Sequence, residues 1–191
     1  MKKWTLRIQY NSPVALTFAV ISFAALVLSW VLGDAIMQKF FSVYRASLYD
    51  PLTYLRFFTH VLGHGGWDHY IGNMLLLLVL GPTLEEKYGS RSLLISIAVT
   101  ALISGLVQFI FFPDTALLGA SGIVFMMIVM SSLAGMKGNG IPLTLIFVTV
   151  FYIGGEIVDA LTVQDNVSQL THIVGGICGA VLGYVLSRRK L

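Results

Sequence analysis

From Val14 to Leu186 this chain is a succession of apolar runs, each of about the 17 to 25 residues that an α-helix needs to cross the hydrocarbon core of a bilayer. Six are distinguishable: Val14 to Leu32, His69 to Leu84, Leu93 to Phe112, Ala120 to Met136, Ile141 to Ala160 and Leu170 to Leu186. Backbone buried in lipid must satisfy its own N–H and C=O groups, so runs of this kind fold as helices. The expected class is an all-α membrane protein, a bundle of six transmembrane helices in one domain spanning residues 1–191. Of 191 residues 57% are hydrophobic and 11% charged, with a mean hydropathy of +0.84. A water-soluble globule of that composition could not cover its surface. No internal repeat is evident, which disfavours a transporter built from inverted halves.

Lys and Arg close to span ends stay on the cytoplasmic side of a membrane. With the N-terminus inside, nine basic residues fall inside: Lys2, Lys3, Arg7, Lys87, Arg91, Lys137, Arg188, Arg189 and Lys190. Only Lys39, Arg45 and Arg56 fall outside, whereas Asp34, Asp50, Asp68, Asp114, Asp159 and Asp165 are all external. This distribution predicts both termini inside and an even number of spans. The pI of about 9.1 then reflects topology, and no nucleic-acid partner is expected. The first apolar run is too long for the core of a secretory signal, and no Arg- and Ser-rich presequence is visible, so a prokaryotic cytoplasmic membrane is expected. The single cysteine, Cys178, lies in the glycine-rich last run and reads as a packing residue.

One connection is far longer than the others. The Asp34 to Asp68 segment carries Phe40, Phe41, Tyr44, Tyr49, Tyr54, Phe57, Phe58 and Trp67, too apolar for disorder. A structured hairpin lying partly in the outer leaflet, held by its rings at headgroup level, is expected. It leads into His60-x3-His64-x4-His69-x3-Asn73. On a helix His69 and Asn73 share a face, and both can donate hydrogen bonds to a negative oxygen. Asn73 could equally tie two helices together.

Gly119-Ala120-Ser121-Gly122 opens the fourth run. A serine in the first turn of a helix sits among unpaired N–H groups at the positive end of the helix dipole, which favours a developing oxyanion. Gly119 and Gly122 allow close approach there. His172 opens the last run, and an ionisable residue within a span is a functional candidate by default. Gly175, Gly179 and Gly183 follow at intervals of four, a smooth stripe that lets another helix come close. If that helix starts at Ser121, imidazole and hydroxyl meet; a homodimer would use the same stripe.

Taken together and in this order, the His-x3-His-x4-His-x3-Asn, Gly-Ala-Ser-Gly and His-x2-Gly-x3-Gly sequences resemble those of rhomboid intramembrane serine proteases. The resemblance extends from the first span to Leu186 and includes Tyr54-Leu55-Arg56-Phe57-Phe58-Thr59-His60, similar to the end of that family's membrane-embedded first loop, and Glu85 and Gly89 in the turn after the second span. It implies Ser121 as nucleophile, His172 as general base, and His69, Asn73 and the Ser121 N–H as oxyanion hole. Gly119, Ala120 and Phe125 would line the substrate. It also implies a Ser-His dyad without an aspartate, no cofactor, and transmembrane segments of other proteins as substrates, in contact with the lipid bilayer.

Three positions depart from the family pattern. Phe125 stands where Tyr is frequent, Thr171 where Ala is usual, and Leu55 where Trp is common; none removes a chemical role. Two other readings compete. A metal protein could use His60, His64, His69 and His172, but there is no H-E-x-x-H pattern and no carboxylate beside the last histidine. An inactive relative serving in binding or trafficking would have lost the serine or the histidine, and this chain keeps both. Phe147, Phe151 and Tyr152 in the fifth run are expected to flank the route by which a substrate helix enters.

Overall fold

A computed structural model of the protein describes residues 9–135, 140–151 and 166–188, with side chains in the last segment from residue 169. Lys2, Lys3, Arg7, Lys137, Tyr152, Asp159, Asp165, Arg189 and Lys190, named above for their charge or position, lie outside the described residues. The described chain is helical: α1 Pro13–Leu32, α2 Ala35–Phe41, α3 Pro51–Thr59 with a 3-10 turn His60–Leu62, α4 Trp67–Tyr88, α5 Ser90–Phe111, α6 Ser121–Ala134, and α8 Asn166–Arg188; residues 143–151 form α7. Among the described residues no strand occurs, only an isolated antiparallel bridge between Val43 and Leu117.

Three of these helices, Pro13–Leu32, Ser90–Phe111 and the Gln169–Arg188 part of α8, are long and apolar enough to cross a membrane. α4 has comparable length, 22 residues, but begins Trp-Asp-His and ends Glu-Glu-Lys. α6 is apolar and only 14 residues long. α1 begins at Pro13, whose fixed φ suits the first helical turn. Its orphan N–H groups are capped from 70 residues away: buried Glu85 of α4 accepts from Val14 N at 3.0 and 3.2 Å and from Ala15 N at 3.2 Å. A carboxylate at that end also complements the helix dipole. The reversal from α4 to α5 is made by Gly89 at φ +86, a conformation L side chains rarely adopt.

α6 is the most enclosed helix. Ile123, Met126, Met127 and Met130 are all 0% exposed, packed with Leu77 and Leu84 of α4 and Leu93 of α5 in one core. The stripe on α8 faces α6: a methyl group added at Gly175 would lie 2.2 Å from the Gly122 carbonyl oxygen, and one at Gly179 2.4 Å from that of Met126. At Gly183 an added methyl would instead meet the Leu133 side chain at 2.9 Å and the Met130 Cα at 3.3 Å. The two helices therefore touch through backbone, and the partner left open by the sequence is α6.

The long connection after α1 is structured, as its composition predicts, but as two short helices and a 3-10 turn where a hairpin was expected. α2, α3 and the 3-10 turn lie within it, with Phe57 packed on Phe109 of α5 at 5.5 Å between ring centroids. Buried Arg56 organises it. Its Nε donates to the Lys39 carbonyl at 2.9 Å, its Nη2 to Asp50 at 3.1 Å, and its guanidinium covers the Tyr44 ring at 4.6 Å. Arg45 reaches the last turn of α5, donating to the carbonyls of Phe109 and Ile110 at 3.1 and 3.0 Å.

Candidate active site

Ser121 is the first residue of α6, and the chain reaches it along residues 112–120, which turn at 113–114 and are held by three clamps. Gln108 of α5 donates to the carbonyl and hydroxyl of Thr115, both at 3.0 Å. Val43 and Leu117 exchange both backbone hydrogen bonds at 2.9 Å, and Gly119 N donates to the His60 carbonyl at 2.9 Å. Gly119 has φ +128, and a Cβ there would strike the His69 ring at 2.7 Å. The glycine thus does two things: it permits the backbone turn into α6 and it makes room for the imidazole.

Ala120 is fully buried, 0% exposed, so its methyl belongs to the core and contributes no side-chain surface to a cleft. Ser121 is half-buried and Gly122 buried. Gly122 lies against α8, where an added Cβ would meet Thr171 Cγ2 at 3.1 Å. A side chain at either glycine would therefore meet the His69 ring or Thr171. Because Thr171 and Gly175 of α8 pack on Gly122, the first turn of α6 and the turn of α8 that carries His172 lie side by side. His172 is half-buried, and its ring stacks on Phe125 with centroids 4.0 Å apart and planes 13° from parallel. Without a hydroxyl at position 125, the ring still supplies a flat support for the imidazole.

His69, at the start of α4, is exposed and lies within electrostatic reach of His172. Asn73, one turn on, is buried, and its amide Nδ2 donates to the His69 carbonyl at 3.0 Å, leaving one further N–H. The structure therefore brings Gly119, Ser121, His69, Phe125 and His172 to one end of α4, α6 and α8, with Asn73 just beneath.

His60 and His64 are supports of this cluster. His60 Nδ1–H donates to the Arg56 carbonyl at 3.1 Å and His64 Nδ1–H to that of Leu62 at 3.2 Å, since a carbonyl can only accept. His64 stands edge-on to His69 at 5.0 Å and to Tyr70 at 5.5 Å. Burial holds both neutral, pushing the pKa of each from 6.5 down to about 4, with the nearby His69 adding to the effect at His64. Among the described residues no three His, Cys, Asp or Glu side chains converge as a metal site would need.

One feature of the site lies outside the motifs. Ser96, Thr100, Ser104 and Gln108 are all buried along one face of α5, ending at the Gln108 clamp on the approach to Ser121. Their four-residue spacing within an apolar run is the signal that marks them.

The family model for the rhomboid domain matches residues 51–189, and the chain belongs to the rhomboid family. It is 32% identical over 160 residues to rhomboid-related protein 2 of Mus musculus, covering 73% of this chain and 53% of that protein. To rhomboid-related protein 1 of Caenorhabditis elegans it is 31% identical over 142 residues, covering 69% and 39%. To the rhomboid protease GlpG of Yersinia pestis (strain Pestoides F) it is 27% identical over 185 residues, covering 94% and 64%. The chain thus spans less than two thirds of the length of these curated relatives. It is a membrane protein of apolar helices in a family of intramembrane proteases.

Proposed function

We propose that this protein is an active serine endopeptidase that cleaves transmembrane segments of other membrane proteins with a Ser121–His172 dyad. The observation that carries this reading is the backbone contact between Gly122 and Gly175, which sets the serine turn of α6 beside the histidine turn of α8. In this mechanism His172 accepts the Ser121 hydroxyl proton as Oγ attacks the substrate carbonyl carbon. The oxyanion is met by the Ser121 N–H, which has no partner within its own helix, and by His69 and the second N–H of Asn73. As the tetrahedral intermediate collapses, His172 returns its proton to the departing amine. Water, deprotonated by the same imidazole, then attacks the acyl-serine and releases the acid.

The length of α6 supports a site below the membrane surface. Its 14 residues span roughly 21 Å at 1.5 Å each, against a hydrocarbon core of about 30 Å. An α6 that reaches one face begins about 9 Å short of the other, so Ser121 would stand at the floor of a depression open to water. In this reading the chain crosses the membrane six times with both termini inside, α4, α6 and α7 contributing the spans beyond the three long apolar helices. An apolar pocket of about 270 Å³ between α6, α7 and α8, with Phe125, Leu145, Val148 and His172 in its wall, is a place for a substrate side chain.

Purified protein should react with a fluorophosphonate probe and cut a model transmembrane substrate. Ser121→Ala should abolish both while leaving a folded monomer, and His172→Ala should do the same because an unactivated serine is a poor nucleophile. Undiminished cleavage by Ser121→Ala, or a wild type that is folded yet inert to probe and substrate alike, would overturn the proposal.

A further inference from the structure

At the end of the bundle where α1 finishes, a second cavity of about 510 Å³ opens between α1, α2 and the start of α4. Its mouth and floor differ in character. Leu26, Ser29, Met37 and His64 are buried on its floor, whereas Trp30, Asp34 and Gln38 are exposed at its mouth. No Lys or Arg lines it.

Asp34 begins α2 without capping it. Its carboxylate accepts one hydrogen bond, from Ser29 Oγ at 3.3 Å. The ion pair among the described residues is Arg56–Asp50, so no cation of the described chain neutralises Asp34. Beside it the Trp30 and Trp67 rings stand 5.7 Å apart at 86°, two perpendicular aromatic walls of the same cavity. Trp30 is 75% exposed. Aromatic faces attract a cation placed over them, and a carboxylate, a hydroxyl and an amide oxygen can all accept from its N–H groups.

We propose that this cavity binds the primary ammonium headgroup of a phospholipid, phosphatidylethanolamine, whose glycerol and chains continue along the exposed end of α1. Apolar Leu26 and Met37 within the cavity and the carboxylate, amide and indole at its mouth match an amphipathic occupant lying at the interface. The carboxylate discriminates: a primary ammonium donates to Asp34, whereas a trimethylated one cannot. The tryptophans hold either cation. His64, the inner wall, is also the edge-on neighbour of His69, so the occupant lies one ring away from the Ser121 cluster.

The full chain would be reconstituted in nanodiscs holding equal amounts of phosphatidylethanolamine, phosphatidylcholine and phosphatidylglycerol, and the lipids retained after release counted by native mass spectrometry. Wild type should retain phosphatidylethanolamine about tenfold over phosphatidylcholine, the preference expected from roughly one charge-assisted contact. Asp34→Asn should bring that ratio to unity, and Trp30→Leu should lower retention of both lipids several-fold with circular dichroism unchanged. Both positions are exposed, so neither change threatens folding. Competition by millimolar free ethanolamine marks a site for the headgroup alone; a preference that resists it marks one that needs the whole lipid. Equal retention of the two lipids by wild type, a preference for phosphatidylglycerol, or selectivity that survives Asp34→Asn would overturn the assignment. These readouts do not depend on the reactivity of Ser121.

Discussion

The α6–α8 pair and the connection between α1 and α4 both position the proposed site, by opposite physical means. α6 and α8 come closest where α8 has no side chains: Gly175 and Gly179 lie against the carbonyls of Gly122 and Met126. In lipid, where apolar burial drives little association between helices, close packing of small residues is what remains. The connection is instead held by polar side chains reaching backbone carbonyls, with Arg56, Arg45 and His60 each supplying one or more such bonds. Its chain has no long helix to satisfy its carbonyls, so side chains must do it. The first arrangement resists any added volume, and the second resists any lost donor.

The largest test of this contrast is volume. Gly175→Leu would drive a side chain into backbone that cannot move aside, and overpacking costs about 1–3 kcal/mol even where neighbours can adjust. We expect loss of folded protein, read by size-exclusion chromatography and thermal unfolding in detergent. A leucine variant melting like wild type would end the claim that backbone contact holds the pair.

Acid is the next lever, and it should act on the connection alone. The folded pKa values of His60 and His64 lie near 4, below the ordinary 6.5, so between these values the unfolded chain binds more protons. The stabilisation is complete above pH 6.5 and is lost as pH falls toward 4, on the order of 3 kcal/mol for each histidine. Hydrogen exchange measured from pH 7 to 4.5, corrected for intrinsic rates, should show residues 56–64 losing protection before α6 and α8. Simultaneous loss in both regions would merge what is separated here.

Removing a donor comes third. Arg56→Leu deletes a charged hydrogen bond to the Lys39 carbonyl and the pair with Asp50, a loss of roughly 2–4 kcal/mol. Arg56→Lys, which cannot bridge both partners, should fall between. If both variants match wild type in Tm, the connection is held by its aromatic packing. The smallest effect is expected at Phe125. Phe125→Leu removes the stacked face under His172, worth about 0.5–1.5 kcal/mol, and should lower turnover several-fold with little change in Tm; Phe125→Tyr should be neutral. Equal turnover in Phe125→Leu would leave the stacking without a role in orienting the base.

Much of this was readable in the chain. The apolar runs mark α1, α5 and α8 because each helix satisfies its backbone locally, and Ser121 stands at a helix start as its position implies, whereas His172 is the seventh residue of a helix that begins at Asn166, before the apolar run does. What sequence could not supply was partnership. The glycine stripe identifies a close neighbour without naming it, and the choice of α6 rests on Gly122 some 50 residues away. The Glu85 cap on α1 and the Gln108, Val43 and His60 clamps join groups that no local pattern relates. Ala120 sits inside the serine motif yet faces inward, because the turn into α6 sends alternate positions to opposite sides. The long connection showed aromatic content without helical period, which is why α2 and α3 were not foreseen within it.

The glycine contacts also bear on how this protein can change over generations. Where a new methyl would strike a side chain, a second mutation can remove the obstacle: at Gly81 the obstacle is the Ala15 methyl at 2.6 Å, so Gly81→Ala should be rescued by Ala15→Gly. At Gly175 the obstacle is a carbonyl oxygen belonging to a residue that is already glycine, and there is nothing left to trim. A selection for suppressors should recover compensating changes for the first lesion and only true revertants for the second, which leaves the α6–α8 seam as the part of the molecule with the fewest evolutionary exits.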